Sequence, residues 1–179
     1  MRQSHKRLLV VLLIILGVIL FDQLAKYFVR QRLAPGDTLR PIPALADYFQ
    51  IVRSTNSGAA FGIFQNVGDL FLVLAFVVVA GMLYYYPRLP ENATITRLAT
   101  GLLCGGALGN ALDRLQQGQV TDFIHYQIPG LISNVSNLAD HAIVLGVLLM
   151  IWDNWRLERA TKRQKPTEST ESTPKTDSN

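Results

Sequence analysis

The 179-residue sequence has little charge, one cysteine and few histidines. Charged residues make up 17% of it, where an ordinary soluble domain carries about 25%. With 49% hydrophobic residues and a mean hydropathy of +0.22, this shortfall excludes a disordered chain or a coiled coil and argues against a soluble globule. The single cysteine, Cys104, excludes an internal disulfide and a cysteine-built zinc site. The three histidines form no H-x-x-x-H or H-E-x-x-H pattern, so no metal is expected. No serine or cysteine sits in a nucleophile motif, and no phosphate-binding loop is present.

What is present is hydrophobic length. Leu8–Phe21 is a run of 14 uncharged residues that keeps its apolar character to about Val29. Leu70–Tyr86 gives 17 and Leu98–Leu112 gives 15. Leu138–Trp152 is interrupted only near its start, by Asp140 and His141. A helix needs about 20 largely apolar residues to cross a bilayer core, and each run reaches that once its polar ends are included. Four spans are therefore expected, at about 8–29, 67–86, 97–114 and 137–155. They form one membrane domain over 1–160, and residues 161–179, rich in Lys, Thr, Ser, Glu and Pro, read as a disordered cytoplasmic tail. The first run follows Arg2, Lys6 and Arg7, as a signal peptide would. It continues into Asp22-Gln23-Leu24-Ala25-Lys26 instead of a small-residue cleavage site, so a retained helix is expected.

Lysine and arginine set the orientation. Eleven lie in the N-terminus, the second connection and the tail, against six on the other side, so both termini are expected in the cytoplasm. On the outer side, turn signals at Pro35-Gly36-Asp37, Pro41 and Pro43 precede the strand-like 48–52, and 123–126 is also β-prone. The small apolar stretch 57–64 is expected to lie at the membrane interface. The expected fold class is all-α membrane, with four transmembrane helices, a small extracytoplasmic β-sheet and, from the resemblance given below, an interfacial helix at 58–64.

Ionisable groups at membrane depth are costly and mark function. Asp22, Asp69, Asp113, Asp122 and Asp140 all fall on the expected outer half. Asp22 and Lys26 share a helix face at i,i+4, a spacing that a plain salt bridge also explains. Asp69 opens the second span, where a carboxylate favours the helix N-terminus. Gly101, Gly105 and Gly109 make a face for close helix approach, and Cys104 among them reads as a packing residue. Asn110, Asp113 and Arg114 can form one polar cluster, or simply dress a helix end with charge. Asn137 and Asp140 have the spacing of a capping box, which leaves room for a second role of Asp140. Asp122 precedes Asp140 by 18 residues across a loop containing Pro129-Gly130, so both carboxylates can meet at the membrane edge. Two close carboxylates in a site poor in water share one proton, and such a pair can activate a water for peptide hydrolysis. On the residues alone three readings stay open. One is a membrane aspartyl peptidase, one a small transporter or proton channel lined by Asp22, Lys26, Asp113 and Arg114, and one a scaffold packing through its glycine face.

Five motifs then occur in order: Asp22-Gln23-Leu24-Ala25-Lys26, Asn56 to Gly62, Gly105 to Arg114, Val120-Thr121-Asp122-Phe123, and Asn137-Leu138-Ala139-Asp140. Over about 8–155 the chain resembles the lipoprotein signal peptidases (signal peptidase II) of bacterial inner membranes. The resemblance implies an aspartyl endopeptidase that removes signal peptides from prolipoproteins, cutting before a diacylglyceryl-modified cysteine. It implies Asp122 and Asp140 as the catalytic pair, and Asn56, Asn110, Arg114 and Asn137 as residues lining the site. Asp22, Lys26, Asp113 and Gly62 become its supports. It further implies no cofactor, no nucleic acid, and a monomer in membrane lipid whose site sits at the outer leaflet edge. Two positions depart from the family pattern: Ser136 before the last motif, where phenylalanine is frequent, and His141 after it, where a small residue is.

Overall fold

The computed structural model describes residues 2–58 and 67–164. Four long helices, α1 (Arg2–Arg32), α2 (Val67–Tyr85), α3 (Thr94–Gln117) and α4 (Leu138–Gln164), stand with a small sheet. Three of them, α1, α2 and α4, are long and apolar enough to cross a membrane. Their outer faces expose large side chains, among them Leu16, Phe21, Val77, Leu148 and Ile151. The last helix runs four residues into the segment expected to be a tail, whose remainder lies outside the described residues, as does 59–66 with Gly62 and nearly all of the expected interfacial helix.

Helix α3 packs against each of the other three. Its sequence explains that position. Between membrane helices there is no hydrophobic drive, so small residues that let backbones approach decide the packing. A Cβ added at Gly101 would stand 2.8 Å from Ile14, and one at Gly105 2.7 Å from Val18, so the glycine face receives α1. Gly106 lies on another face, where an added Cβ would run into the Ala139 carbonyl oxygen of α4. Cys104 is wholly buried among Val11, Ile15, Val79 and Tyr86.

The sheet is an antiparallel meander, β1 (Thr38–Leu39), β2 (Phe49–Asn56), β3 (Val120–Ile128) and β4 (Ile132–Ser136), in that spatial order. The strands expected at 48–52 and 123–126 are thus longer than their β-prone cores. Arg53 fastens the sheet to the helices by donating to the Arg30 and Leu33 carbonyls at the end of α1 (3.2 and 2.9 Å). The pairing of β2 with β3 shifts by one residue between Ile51↔Ile124 and Ser54↔Asp122. Side chains alternate across a strand, so this bulge turns Ser54 and Asn56 onto the face that carries Asp122.

One buried ion cluster joins these parts. Lys26 Nζ lies 2.7 Å from Asp22 Oδ2 and 3.0 Å from Asp113 Oδ2, and all three side chains are fully buried. Its third contact is a donation to Asn110 Oδ1 at 3.1 Å. An ammonium has three donors, so Lys26 is saturated. The two carboxylates also accept from backbone and amide groups. Asp22 Oδ1 accepts the Ala139 N–H (3.0 Å), while Asp113 accepts the Thr121 N–H (2.9 Å) and the Gln23 amide (2.9 Å). Ala139 and Thr121 immediately precede Asp140 and Asp122. Removing one partner of a buried ion cluster typically costs about 3–5 kcal/mol. Lys26→Met should therefore lower the thermal midpoint in detergent sharply, and Asp22→Asn added to it should restore part of the loss. A Lys26→Met midpoint equal to that of the wild type would contradict this reading of the cluster.

Candidate active site

Asp122, the third residue of β3, is buried and its carboxylate meets two side-chain amides. Asn137 Nδ2 donates to its Oδ1 at 2.6 Å, and Asn56 Nδ2 donates to its Oδ2 at 3.0 Å. Asn56 is held in turn, since its own Oδ1 accepts the Gly58 N–H at 2.8 Å. That short turn requires Gly58 at φ +81, a left-handed conformation glycine adopts without cost. A Cβ there would also meet the Phe71 ring at 2.8 Å.

Asp140 stands in the first turn of α4, where Asn137 caps the helix reciprocally. Asn137 Oδ1 accepts the Asp140 N–H (2.9 Å) and Asp140 Oδ2 accepts the Asn137 N–H (3.2 Å). The capping box read from the sequence is therefore present, and Asn137 has a second role. Its amide reaches Asp122 while its oxygen and backbone hold Asp140, so a single fully buried side chain ties the two aspartates together. Asn110 Nδ2 donates to Asp140 Oδ1 at 2.7 Å. The Asn110 amide can face only this way, because its oxygen is taken by the donor-only ammonium of Lys26. Lys26 thus reaches Asp140 through Asn110 as well as through Asp22 and Ala139.

Burial pushes the Asp122 carboxyl above the ordinary aspartate range. The amides of Asn56 and Asn137 favour its ionised form and work against burial, the charge of Asp140 works with it, and the net direction is upward. Asp122 is thus biased toward holding a proton.

Asp140 opens onto a groove of about 710 Å³ walled by Asn56, Tyr126, Ser136, His141, Val144 and Leu148. His141 donates Nδ1–H to the Asn137 carbonyl at 2.6 Å, since a carbonyl can only accept, and its ring meets Tyr126 edge-on at 5.8 Å. Asn110 also lines a second groove of about 310 Å³ between α2, α3 and α4, otherwise walled by Phe71, Val78, Leu103 and Ile143, with Arg114 beside it. The Arg114 guanidinium lies 5.2 Å from the Phe71 ring centroid, and the charges of Asp140, Asp122 and Asp113 reach it. Among the described residues its buried Nε has no hydrogen-bond partner.

The structure gathers Asn56, Asn110, Asp122, Asn137 and Asp140 in one hydrogen-bonded set, with Arg114 at its edge and Asp22, Lys26 and Asp113 beneath it. Asp69, in the first turn of α2, is exposed and takes no part. Gln23 was not singled out by the sequence, yet its Nε2 reaches Asp22, Asp113 and the Gly109 carbonyl at 3.2, 2.9 and 3.1 Å. Its one signal is its position between Asp22 and Lys26. Arg30, also unforeseen, donates to Thr121 Oγ1 at 3.1 Å.

Comparison with known proteins gives the family of the chain. The family model described as "Signal peptidase (SPase) II" matches residues 14–156. The "Lipoprotein signal peptidase" of Halothermothrix orenii is 38% identical over 149 residues, which is 83% of this chain and 97% of that protein. That of Moorella thermoacetica is 39% identical over 141 residues, 79% of this chain and 89% of that one. A solved structure described as a bacterial membrane enzyme, obtained by the in meso method, superposes with a TM-score of 0.74 at 31% identity, over 89% of this chain and 93% of its own. By the extent of these matches and the order of its motifs, the chain belongs to the signal peptidase II family.

Proposed function

We propose that this protein is an aspartyl endopeptidase of the bacterial inner membrane. It removes signal peptides from prolipoproteins by cutting before the diacylglyceryl-modified cysteine. The observation that carries this reading is the bridging of Asp122 and Asp140 by the single side chain of Asn137, with an amide donating to each of the four carboxylate oxygens. The transporter reading, which lined a path with Asp22, Lys26, Asp113 and Arg114, is disfavoured because the first three are fully buried in one ion cluster and only Arg114 lines a groove.

The chemistry follows from a pair that shares one proton. The ionised carboxylate takes a proton from a water, whose oxygen attacks the scissile carbonyl carbon. The protonated partner gives its proton to the carbonyl oxygen, so a tetrahedral gem-diol forms without a separated oxyanion. The carboxyl that received the water proton passes it to the leaving nitrogen. The C–N bond breaks, the carbonyl re-forms, and the proton lost from its hydroxyl returns to the pair. Asp140 lines the groove that substrate and water would enter, which suits it as the base. Arg114, with an unfilled donor, is suited to a substrate carbonyl.

A lipidated substrate cannot leave the bilayer, so the site must lie at its edge. In this reading α3 is the fourth span, wrapped by the other three, and both termini are cytoplasmic. The aspartates then sit at the outer leaflet of a monomer. The two grooves beside Asp140 and Asn110 carry apolar walls suited to acyl chains and to an apolar signal peptide.

Two outcomes test the assignment. Asp122→Asn and Asp140→Asn should each lower kcat on a diacylglyceryl prolipoprotein by about 100- to 10,000-fold, the range of acid–base catalysis, with folding in detergent retained. Near-wild-type turnover by either variant would remove that residue from the pair. Asn56→Ala removes a donor that favours the Asp122 carboxylate, so Asp122 should hold its proton to higher pH. The alkaline limb of kcat/KM, which reports loss of the shared proton, should move up in this variant. A limb that stays or moves down contradicts the assignment.

A further inference from the structure

At the end of the bundle away from the aspartates, α4 carries a basic face that catalysis does not use. The α1 and α3 ends are marked there by Arg7 against Glu91 at 3.3 Å and Thr96 against Asp153 at 2.6 Å. Leu148, Ile151, Trp152 and Trp155 are 57, 62, 49 and 48% exposed, so the lipid-facing surface of α4 ends in two indoles. The helix continues for more than two turns beyond them, to Gln164. Two guanidinium groups lie over those indoles: Arg156 Cζ 5.9 Å from the Trp152 ring centroid, and Arg159 Cζ 3.6 Å from that of Trp155. Lys162 follows, exposed, less than one turn on. The spacings of three and four place these side chains along one helix face. Of the two acids in this stretch, Glu158 accepts from Asn154 at 3.2 Å, and Asp153 is buried and accepts from Thr96 and Arg156.

Indole rings settle at headgroup depth. A guanidinium stacked on such a ring is held where lipid phosphates lie, with its donors arranged for a phosphodiester. We propose that the Trp152–Arg156–Trp155–Arg159–Lys162 face of α4 binds the headgroups of anionic phospholipids in the leaflet where α4 ends. Two features favour a lipid over a soluble partner. The face continues the lipid-facing surface without a break, and its exposed charge is cationic where an anionic leaflet surface is negative. The inference needs α4 to end at a membrane surface and does not depend on the proteolytic reading.

Trp152 and Trp155 are the only tryptophans in the chain, so their fluorescence reports on this face alone. The full-length protein is reconstituted in vesicles of phosphatidylcholine and phosphatidylglycerol, with one or the other brominated at equal mole fraction. Brominated phosphatidylglycerol should quench more than brominated phosphatidylcholine, by at least about twofold in derived local enrichment, and less at high salt. Arg159→Gln/Lys162→Gln should bring the ratio close to one while leaving cleavage in neutral detergent unchanged. Arg156 is kept because it also holds Asp153 at 2.9 Å. Arg159→Lys should keep most of the preference, which separates lost charge from lost fold. Equal quenching by the two lipids in the wild type would overturn the proposal. So would a double variant that keeps the preference, or abolition of the preference by inorganic phosphate at matched ionic strength.

Discussion

The Lys26 ammonium between Asp22 and Asp113 is the interaction on which the rest of the structure depends. It is buried at a depth where unpaired charge is not tolerated, so each of its three contacts fixes a neighbour. Asp22 and Asp113 then hold the N–H groups just before Asp140 and Asp122, and Asn110 holds Asp140 itself. Two aspartates contributed by a strand and by a helix start are thereby referred to one point on α1. A shared proton requires two carboxylates at a set separation, and a single saturated cation is an economical way to set it. In the proposed reading the ion cluster positions the aspartates from beneath, its three side chains being fully buried.

The membrane accounts for why so polar a construction stands at the end of a helix bundle. Helix α3 carries Asn110, Asp113 and Arg114, and it is the one of the four that is not apolar enough by its own composition to cross a membrane. It can be so because α1, α2 and α4 screen it, and its glycines let them come close enough to do so. The same closeness brings the Asp22 carboxylate to the Ala139 N–H. A side chain at Gly106 would press against the Ala139 carbonyl and move the start of α4, and with it Asp140. Packing and chemistry are therefore one problem here, since small residues in α3 determine how near the two aspartate-bearing elements stand.

Much of this was legible in the residues, and the parts that were not have physical reasons. The i,i+4 pair Asp22–Lys26 and the capping box Asn137–Asp140 are local patterns and could be read from spacing. Their further partners could not, because Asp113 and Asn110 meet Lys26 only when α3 packs on α1, and Asn137 meets Asp122 only when β3 and β4 pair. The strand containing Asn56 was seen only as 48–52, because Arg53-Ser54-Thr55-Asn56 has little β-propensity; pairing with β3 decides it. The bulge near Arg53 was hidden for the same reason. Simple alternation from Ile51 would have placed Asn56 on the opposite face from Asp122. Gln23 was overlooked because an uncharged amide in an apolar helix carries little signal until its three acceptors are in place.

The proposed activity requires a lipidated substrate to meet a water-activating pair. The most direct measurement is mass spectrometry of the products when purified protein in micelles is given a prolipoprotein with and without its diacylglyceryl group. One new N-terminus, the lipid-modified cysteine, is expected from the modified substrate, and little or no product from the unmodified one. Equal cleavage of both, cleavage at another bond, or no cleavage by folded protein would contradict the proposed activity.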